Sequence, residues 1–454
     1  MKKRIIGASL LLGGVGAMSI GLLPQPGLLA AQVRGNTVDV SDGAALANAV
    51  MGARPGSTIR LAAGEYPRLV IRREIERLPI RSTGPGEARI AQAVFLKAGR
   101  WRIDGVTMLG GAGNVAPLEI SSSHDILVSD VLLTGATPDP GPRDEESNGI
   151  LIRSSENIVL ALSEVRHVKQ IGALRDSFGI IVEGNHFLNA REGLMTRATH
   201  GLIIRHNLFQ GWKPRYDKLE HPDMIQFITQ HVPTGSSMVT IESNYLSAGW
   251  DRAIQGIFIR AEGYDSGKFP MGFHRNFVIK NNVYYGSSRH GITMSNIRGL
   301  LAENNTVIAS PHAFAGVTPR DPEGKSSGGL VPSIFSSESS WGTITNNITA
   351  LLAIRVEAAG TRDINNFVYR PRDFKDARNP GRSFMAALTA GDLPVSAFAV
   401  RPDSDAGRNN RGADVRLVGP DAARRDLEAL AKEAVSLTAA ARLQDLAAVP
   451  PPPQ

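Results

Sequence analysis

Four stretches of the sequence gather side chains able to move protons or grip a carboxylate. They are Arg191 with Glu192; His221, Asp223 and Gln226; Asp251, Arg252 and Gln255; and Arg289 with His290. Trp212 and Lys213 lead into the second stretch, and Trp250 opens the third. This set suits a reaction that neutralises a carboxylate, removes the proton beside it and protonates a leaving oxygen. Arg252, Arg289 and Gln255 would hold the carboxylate, because a guanidinium fork matches it with two hydrogen bonds. His221, or Lys213 once desolvated, would take the proton; His290 would supply one, and Asp223 would orient a histidine. Arg191, Glu192, Gln226 and Asp251 would extend the binding surface, with Trp212 and Trp250 stacking on sugar faces.

Residues this far apart act together only if the chain stacks them, and a repeat supplies the means. Three mostly apolar positions, two variable ones, an asparagine and alternating apolar residues recur. They read IIVEGNHFLNA, LIIRHNLFQGW, VTIESNYLSAG, FVIKNNVYYGS, LLAENNTVIAS and GTITNNITALL, anchored at Asn185, Asn207, Asn244, Asn282, Asn305 and Asn347. Intervals of 22 and 23 residues give the bare period, and intervals of 37, 38 and 42 are one period plus an inserted loop. Weaker copies carry Asp104, Asp130 and Ser163 at the same place. Short strands rich in Val, Ile and Leu, broken by Gly, Asn or Asp, exclude helix-pair repeats, because no unit holds ten helix-forming residues at 3.6 spacing.

The predicted fold is therefore all-β, a single-stranded right-handed parallel β-helix whose coils stack about 4.8 Å apart. Each ladder asparagine is expected to take the left-handed turn conformation and to bond its counterpart one coil away. Stacked by their asparagines, the coils predict three outer columns: Glu192, Asp223, Arg252 and His290; Arg191, Pro222, Asp251 and Arg289; and Gln226 with Gln255. Inserted loops, one running from Gln210 to Lys218 and one holding Tyr264, Asp265 and Lys268, fall beside them.

The chain divides into an address at 1–31, an N-terminal cap and first strand at 32–66, and the β-helix at 67–375. A closing segment follows at 376–420, then an amphipathic helix at 421–446 and a Pro-rich tail at 447–454. In the address, Lys2, Lys3 and Arg4 precede an apolar run from Ile5 to Leu23, Pro24, Pro26 and the small pair Ala30 and Ala31. That order describes an export signal, with a retained membrane anchor as the alternative. The expected location is periplasmic or secreted, in a bacterium. The helix is expected to cover the far end of the rod or to contact a partner.

Asp42 to Tyr66, a short amphipathic helix with a PG turn and a first strand, resembles the opening of the β-helical polysaccharide lyases, the alginate lyase and chondroitinase B family. NNRGADVRLVGP, Asn409 to Pro420, resembles the closing segment of many bacterial β-helix enzymes. EGLMTRATHGLIIRHNLF resembles the family's stretch in which a calcium-binding Glu precedes a catalytic Lys by five positions. Glu192 takes the place of that Glu, Arg197 stands where the Lys would be, and the family's catalytic Arg has no counterpart near Gln226 and Phe227. The resemblance thus implies calcium at Glu192, while the residues themselves offer no clear ligand set and no metal is assigned. It also implies β-elimination from a uronate-containing polysaccharide.

HPD, WDR and RHG loosely resemble the NTD, DD and GHG motifs of β-helical polygalacturonases, with Asp223 and Asp251 as an inverting acid–base pair. Hydrolysis is therefore the second reading; uronate C5-epimerisation and a non-catalytic glycan-binding rod are the others. Composition sets the outer bounds. Zero cysteines among 454 residues exclude disulfides, thiolate zinc sites and cysteine nucleophiles. A net charge of +7, falling to +4 without Lys2, Lys3 and Arg4, is too mild for a nucleic-acid wrap and permits an acidic glycan partner.

Overall fold

The computed structural model describes residues 33–34, 36–111, 115–135, 147–214, 222–249, 254–309, 331–337, 341–354, 360–368, 384 and 393–447. The chain winds as an all-β, right-handed parallel β-helix. One 12-stranded sheet runs from Gly64–Tyr66 to Phe367–Val368. A 23-stranded sheet contains two faces, which the long strands Gln170–Glu183 and Glu192–Arg205 join around a corner. The first face runs from Leu69–Ile71 through Asp223–Phe227 to Leu351–Ile354, and the second from Thr37–Val40 to Thr361–Ile364.

Alternating side chains explain the rod. Ile150, Leu194, Ile225, Ile257, Ile292 and Ile334 follow one another in register, all 0–1% exposed in one continuous core. Small Gly172 takes one turn of that column, where Ile150 and Leu194 fill the space.

The asparagine ladder lies inside the corner, as expected. Asn185 Nδ2 donates to Asn207 Oδ1 at 3.0 Å, and the relay continues through Asn244, Asn282, Asn305 and Asn347 at 2.9–3.0 Å. Asn366 ends it, accepting from Asn347 at 2.8 Å, and Ser163 begins it through its backbone N–H. The conformational expectation fails by one residue. The left-handed positions are those just before the ladder, Gly184, His206, Ser243, Asn281, Asn304, Asn346 and Asn365. The inward asparagines are not among the positive-φ residues, and the sharp bend falls on their predecessors. A second inward relay passes unnoticed in the sequence: Ser123, Ser155 and Ser177 each accept the N–H one coil back at 3.1–3.2 Å.

Helix α1, Gly43–Gly52, caps the start, with Asp42 accepting the Ala45 N–H and Leu46 and Val50 buried in the core. Helix α2 is the single turn Glu262–Asp265, and α3 runs from Leu427 to Ala447. The end position expected for α3 is not what forms. It lies along the side of the second face, packing Leu430, Ala431 and Ala434 on Leu127, Val159, Ile181 and Ile203. Gly179 and Gly201 make this approach possible: both have φ near +60°, and a side chain on either would strike α3. Buried Glu183 pins the helix entrance through Arg205 at 2.6 Å, which reaches Glu433 at 2.7 Å. Among the described residues no helix is long and apolar enough to cross a membrane.

Candidate active site

Register decides which side chains meet. Gln170 pairs with Glu192, and Leu194 with Ile225, which sets Glu192 level with Asp223. Asp223 pairs with Gln255; Ile257 pairs with Ile292, which sets Gln255 level with His290. The column is therefore Gln170, Glu192, Asp223, Gln255 and His290. Gln255 stands where Arg252 was expected, and Gln226 pairs with Phe258 instead of sharing a column with Gln255. The error has a definite cause. Ile254 looked like the counterpart of Ile225, but it is a buried corner residue whose carbonyl accepts from Tyr284 Oη at 2.7 Å. The inward pair of that strand is Ile257 and Ile259, so every expected partner moves by three positions. Pro222 is consequently followed by Ile254, and not by Asp251, in the neighbouring column.

Strict alternation also breaks at the strand entrance. Met224 and Ile225 are consecutive, fully buried and both in the core. Asp223, just before them, is 6% exposed, and Gln170 is buried too; Glu192, Gln255 and His290 are half-buried. Burial pushes the Asp223 carboxyl well above its ordinary range, and the negative charges of Glu192 and Glu262 push it further. Its Oδ1 and the Gln255 Oε1 are buried without a hydrogen-bond partner among the described residues. His290 Nδ1 lies 2.9 Å from Thr293 Oγ1, and its ring meets the Phe258 ring edge-on at 5.3 Å.

A cationic column lies five positions further along the strands of the same face. Arg153, Arg175 and Arg197 are register partners on successive coils. Arg153 is paired, with Glu119 at 3.0 Å and Ser121 Oγ at 2.6 Å. Arg175 and Arg197 each bury an Nε that no described residue bonds. Burial and the charge of Arg175 lower the Arg197 pKa. Like charges directly opposite on neighbouring strands are unfavourable, so an anion resting on this pair would relieve it. Only Arg197 was singled out in the sequence, through the resemblance. The signal was present: the three arginines are 22 residues apart, the period of the repeat.

Other expected residues take different places. Arg191 is 2% exposed and Trp212 is 3% exposed within the core, so neither offers a surface to a sugar chain. Trp212 instead fills the corner where the strand Leu208–Gln210 ends. Lys213 is half-buried, its backbone N–H bonded to the Ala190 carbonyl at 2.8 Å. Arg289 is exposed, and its carbonyl accepts from Ser333 Oγ at 2.8 Å. His221, Trp250, Asp251, Arg252 and the loop residues Arg215 to Lys218 lie outside the described residues. Among the described residues no three His, Asp or Glu side chains group as a metal cluster. Glu192 and Asp223 are the two carboxylates of the column, too few charged oxygens for a calcium cage.

No protein-family model matches the sequence, and no curated protein matches it either. Solved structures do. The chain is similar in course to β-helix polysaccharide lyases. An alginate lyase from Paenibacillus sp. str. FPU-7 aligns at 10% identity and a TM-score of 0.39, over 73% of this chain and 99% of that one. The PL6-family alginate lyase AlyGC aligns at 13% identity and 0.41, over 86% of this chain; the match spans 58% of AlyGC. DFA-IIIase from Arthrobacter chlorophenolicus A6 aligns at 12% and 0.44, over 85% and 98%. Likeness at this level concerns the β-helix fold.

Proposed function

We propose that the protein is an exported enzyme that cleaves a uronate-containing polysaccharide by β-elimination on the first face of the rod. The observation that carries this reading is Asp223: a buried carboxyl whose pKa is raised by burial and by Glu192, on the same face as the register partners Arg175 and Arg197, each of which buries an Nε that no described residue hydrogen-bonds. Arg175 and Arg197 take the substrate carboxylate, which acidifies the proton on the adjoining carbon. His221, two residues before Asp223 in the chain, accepts that proton; the electron pair forms the new double bond as the glycosidic oxygen departs. Asp223 protonates that oxygen, and Glu192 keeps the proton on Asp223 until then. Gln226 and Gln255 bind hydroxyls. Export rests on the basic and apolar opening of the sequence.

Hydrolysis is the second reading, and one observation favours it. Glu192 and Asp223 are level with each other on adjacent strands, which supplies the two carboxyl groups that a glycosidase needs. Incubation with a panel of polyuronates and neutral glycans separates the two. Elimination gives a rise in near-ultraviolet absorbance matching the new reducing ends. Reducing ends without absorbance would replace this reading with hydrolysis.

A further inference from the structure

Around the corner from the acid column, the second face carries a separate group of rings and guanidinium ions. Arg275, Arg298 and Trp341 are register partners on three successive strands. Phe273 precedes them and is nearly buried; Arg298 lies 3.7 Å from the centre of its ring, and Arg275 lies 4.4 Å from it. Trp341 continues the stack 5.6 Å from Arg298. Its indole crosses Gly360, where an added Cβ would come within 3.1 Å of it. Met271, Phe273, Arg275, Asn276, Arg298 and Gly299 line a cleft of about 350 Å³, and Trp341 stands at its side through Arg298.

An exposed stack of this kind contributes only ~0.5–1 kcal/mol per pair to stability. It leaves Trp341 55% and Met271 47% exposed, a poor use of large apolar groups unless something covers them. Arg298 holds its charge against two rings, and among the described residues no carboxylate pairs with it. A flat indole for a sugar face, the Arg298 guanidinium for a carboxylate and the Asn276 amide for hydroxyls are complementary to an acidic sugar. The strand His290–Met294 runs through Ser295 and Asn296 into Ile297–Glu303, so the cleft shares a coil with the acid column.

We propose that this cleft is an accessory binding site for an acidic glycan chain, which keeps the polymer on the rod while the first face acts. Its ligand class rests on the reading of the first face, but its binding is measurable without turnover. Trp341→Ala and Arg298→Ala, each in an Asp223→Asn background, are titrated with polygalacturonate and alginate by calorimetry, with dextran as the neutral control. The expected result is at least tenfold weaker polyuronate binding, no dextran binding and unchanged melting temperature. With Asp223 intact, both variants should cleave a trisaccharide at the parental rate. Trp341→Phe should keep most of the affinity, and Arg298→Lys should lose it, which separates recognition from any loss of fold. Parental affinity in both alanine variants overturns the site and leaves the first-face chemistry standing. Trp341-dependent binding without cleavage of any polyuronate sinks the lyase reading and leaves the site standing.

Discussion

Asp223 and Gln255 are register partners on neighbouring coils, and each buries a side-chain oxygen that no described residue hydrogen-bonds. An orphaned buried acceptor costs about 1–3 kcal/mol. Two side by side, next to Glu192, mark a place kept for a ligand rather than for stability.

Glu192 sets the proton affinity of Asp223, after burial itself. The acid works only while protonated, so activity falls as pH rises through the Asp223 pKa. Glu192→Gln removes a charge that raises this pKa, and the alkaline limb of kcat/KM should move to lower pH. An unmoved limb would show that Asp223 is not the titrating acid.

The same shift costs stability. Asp223 has a folded pKa raised above the unfolded value of ~3.9, so its favourable contribution is complete below that value. It is lost as pH rises through the folded pKa. Asn cannot ionise. Unfolding of Asp223→Asn and parent should therefore diverge above about pH 4, with the variant the more stable at pH 8.

His274 predicts the opposite slope. It is fully buried, accepts the Ser236 N–H at 3.1 Å and faces the Arg260 carbonyl at 3.2 Å, and burial lowers its pKa to about 4. Its neutral form supports the fold above the unfolded pKa of ~6.5, and that support drains away as pH falls from there through 4. The full effect is on the order of 3 kcal/mol. His274→Asn, which retains an acceptor, should flatten the acid side of the stability profile measured by denaturant.

The repeat was legible because the asparagines repeat at the coil period and their chemistry is one of backbone satisfaction. What escaped was set by corners and insertions. Ile254 mimics an inward strand residue in the sequence but turns a corner in three dimensions, so one residue type misplaced Arg252 and Asp251. Trp212, beside Lys213, reads as a surface ring and is core. The lateral seat of α3 depends on left-handed Gly179 and Gly201 on neighbouring coils, a relation that appears only once the coils are stacked.

The two kinds of turn asparagine should differ in stability. Asn244→Ala breaks bonds to Asn207, Ile204 and Asn282 and should cost at least about 3 kcal/mol. Asn281→Ala, at φ 56° one residue before the ladder and with part-buried bonds to Ser243 Oγ and the Asp414 N–H, should cost less, about 2 kcal/mol. Equilibrium unfolding of both variants checks the order.

The central claim is that Asp223 delivers the proton to the departing oxygen. Turnover of a polyuronate by Asp223→Asn, folded and still binding the polymer, tests it most directly. A rate at least 100-fold below the parent is expected. A rate within twofold of the parent would contradict it.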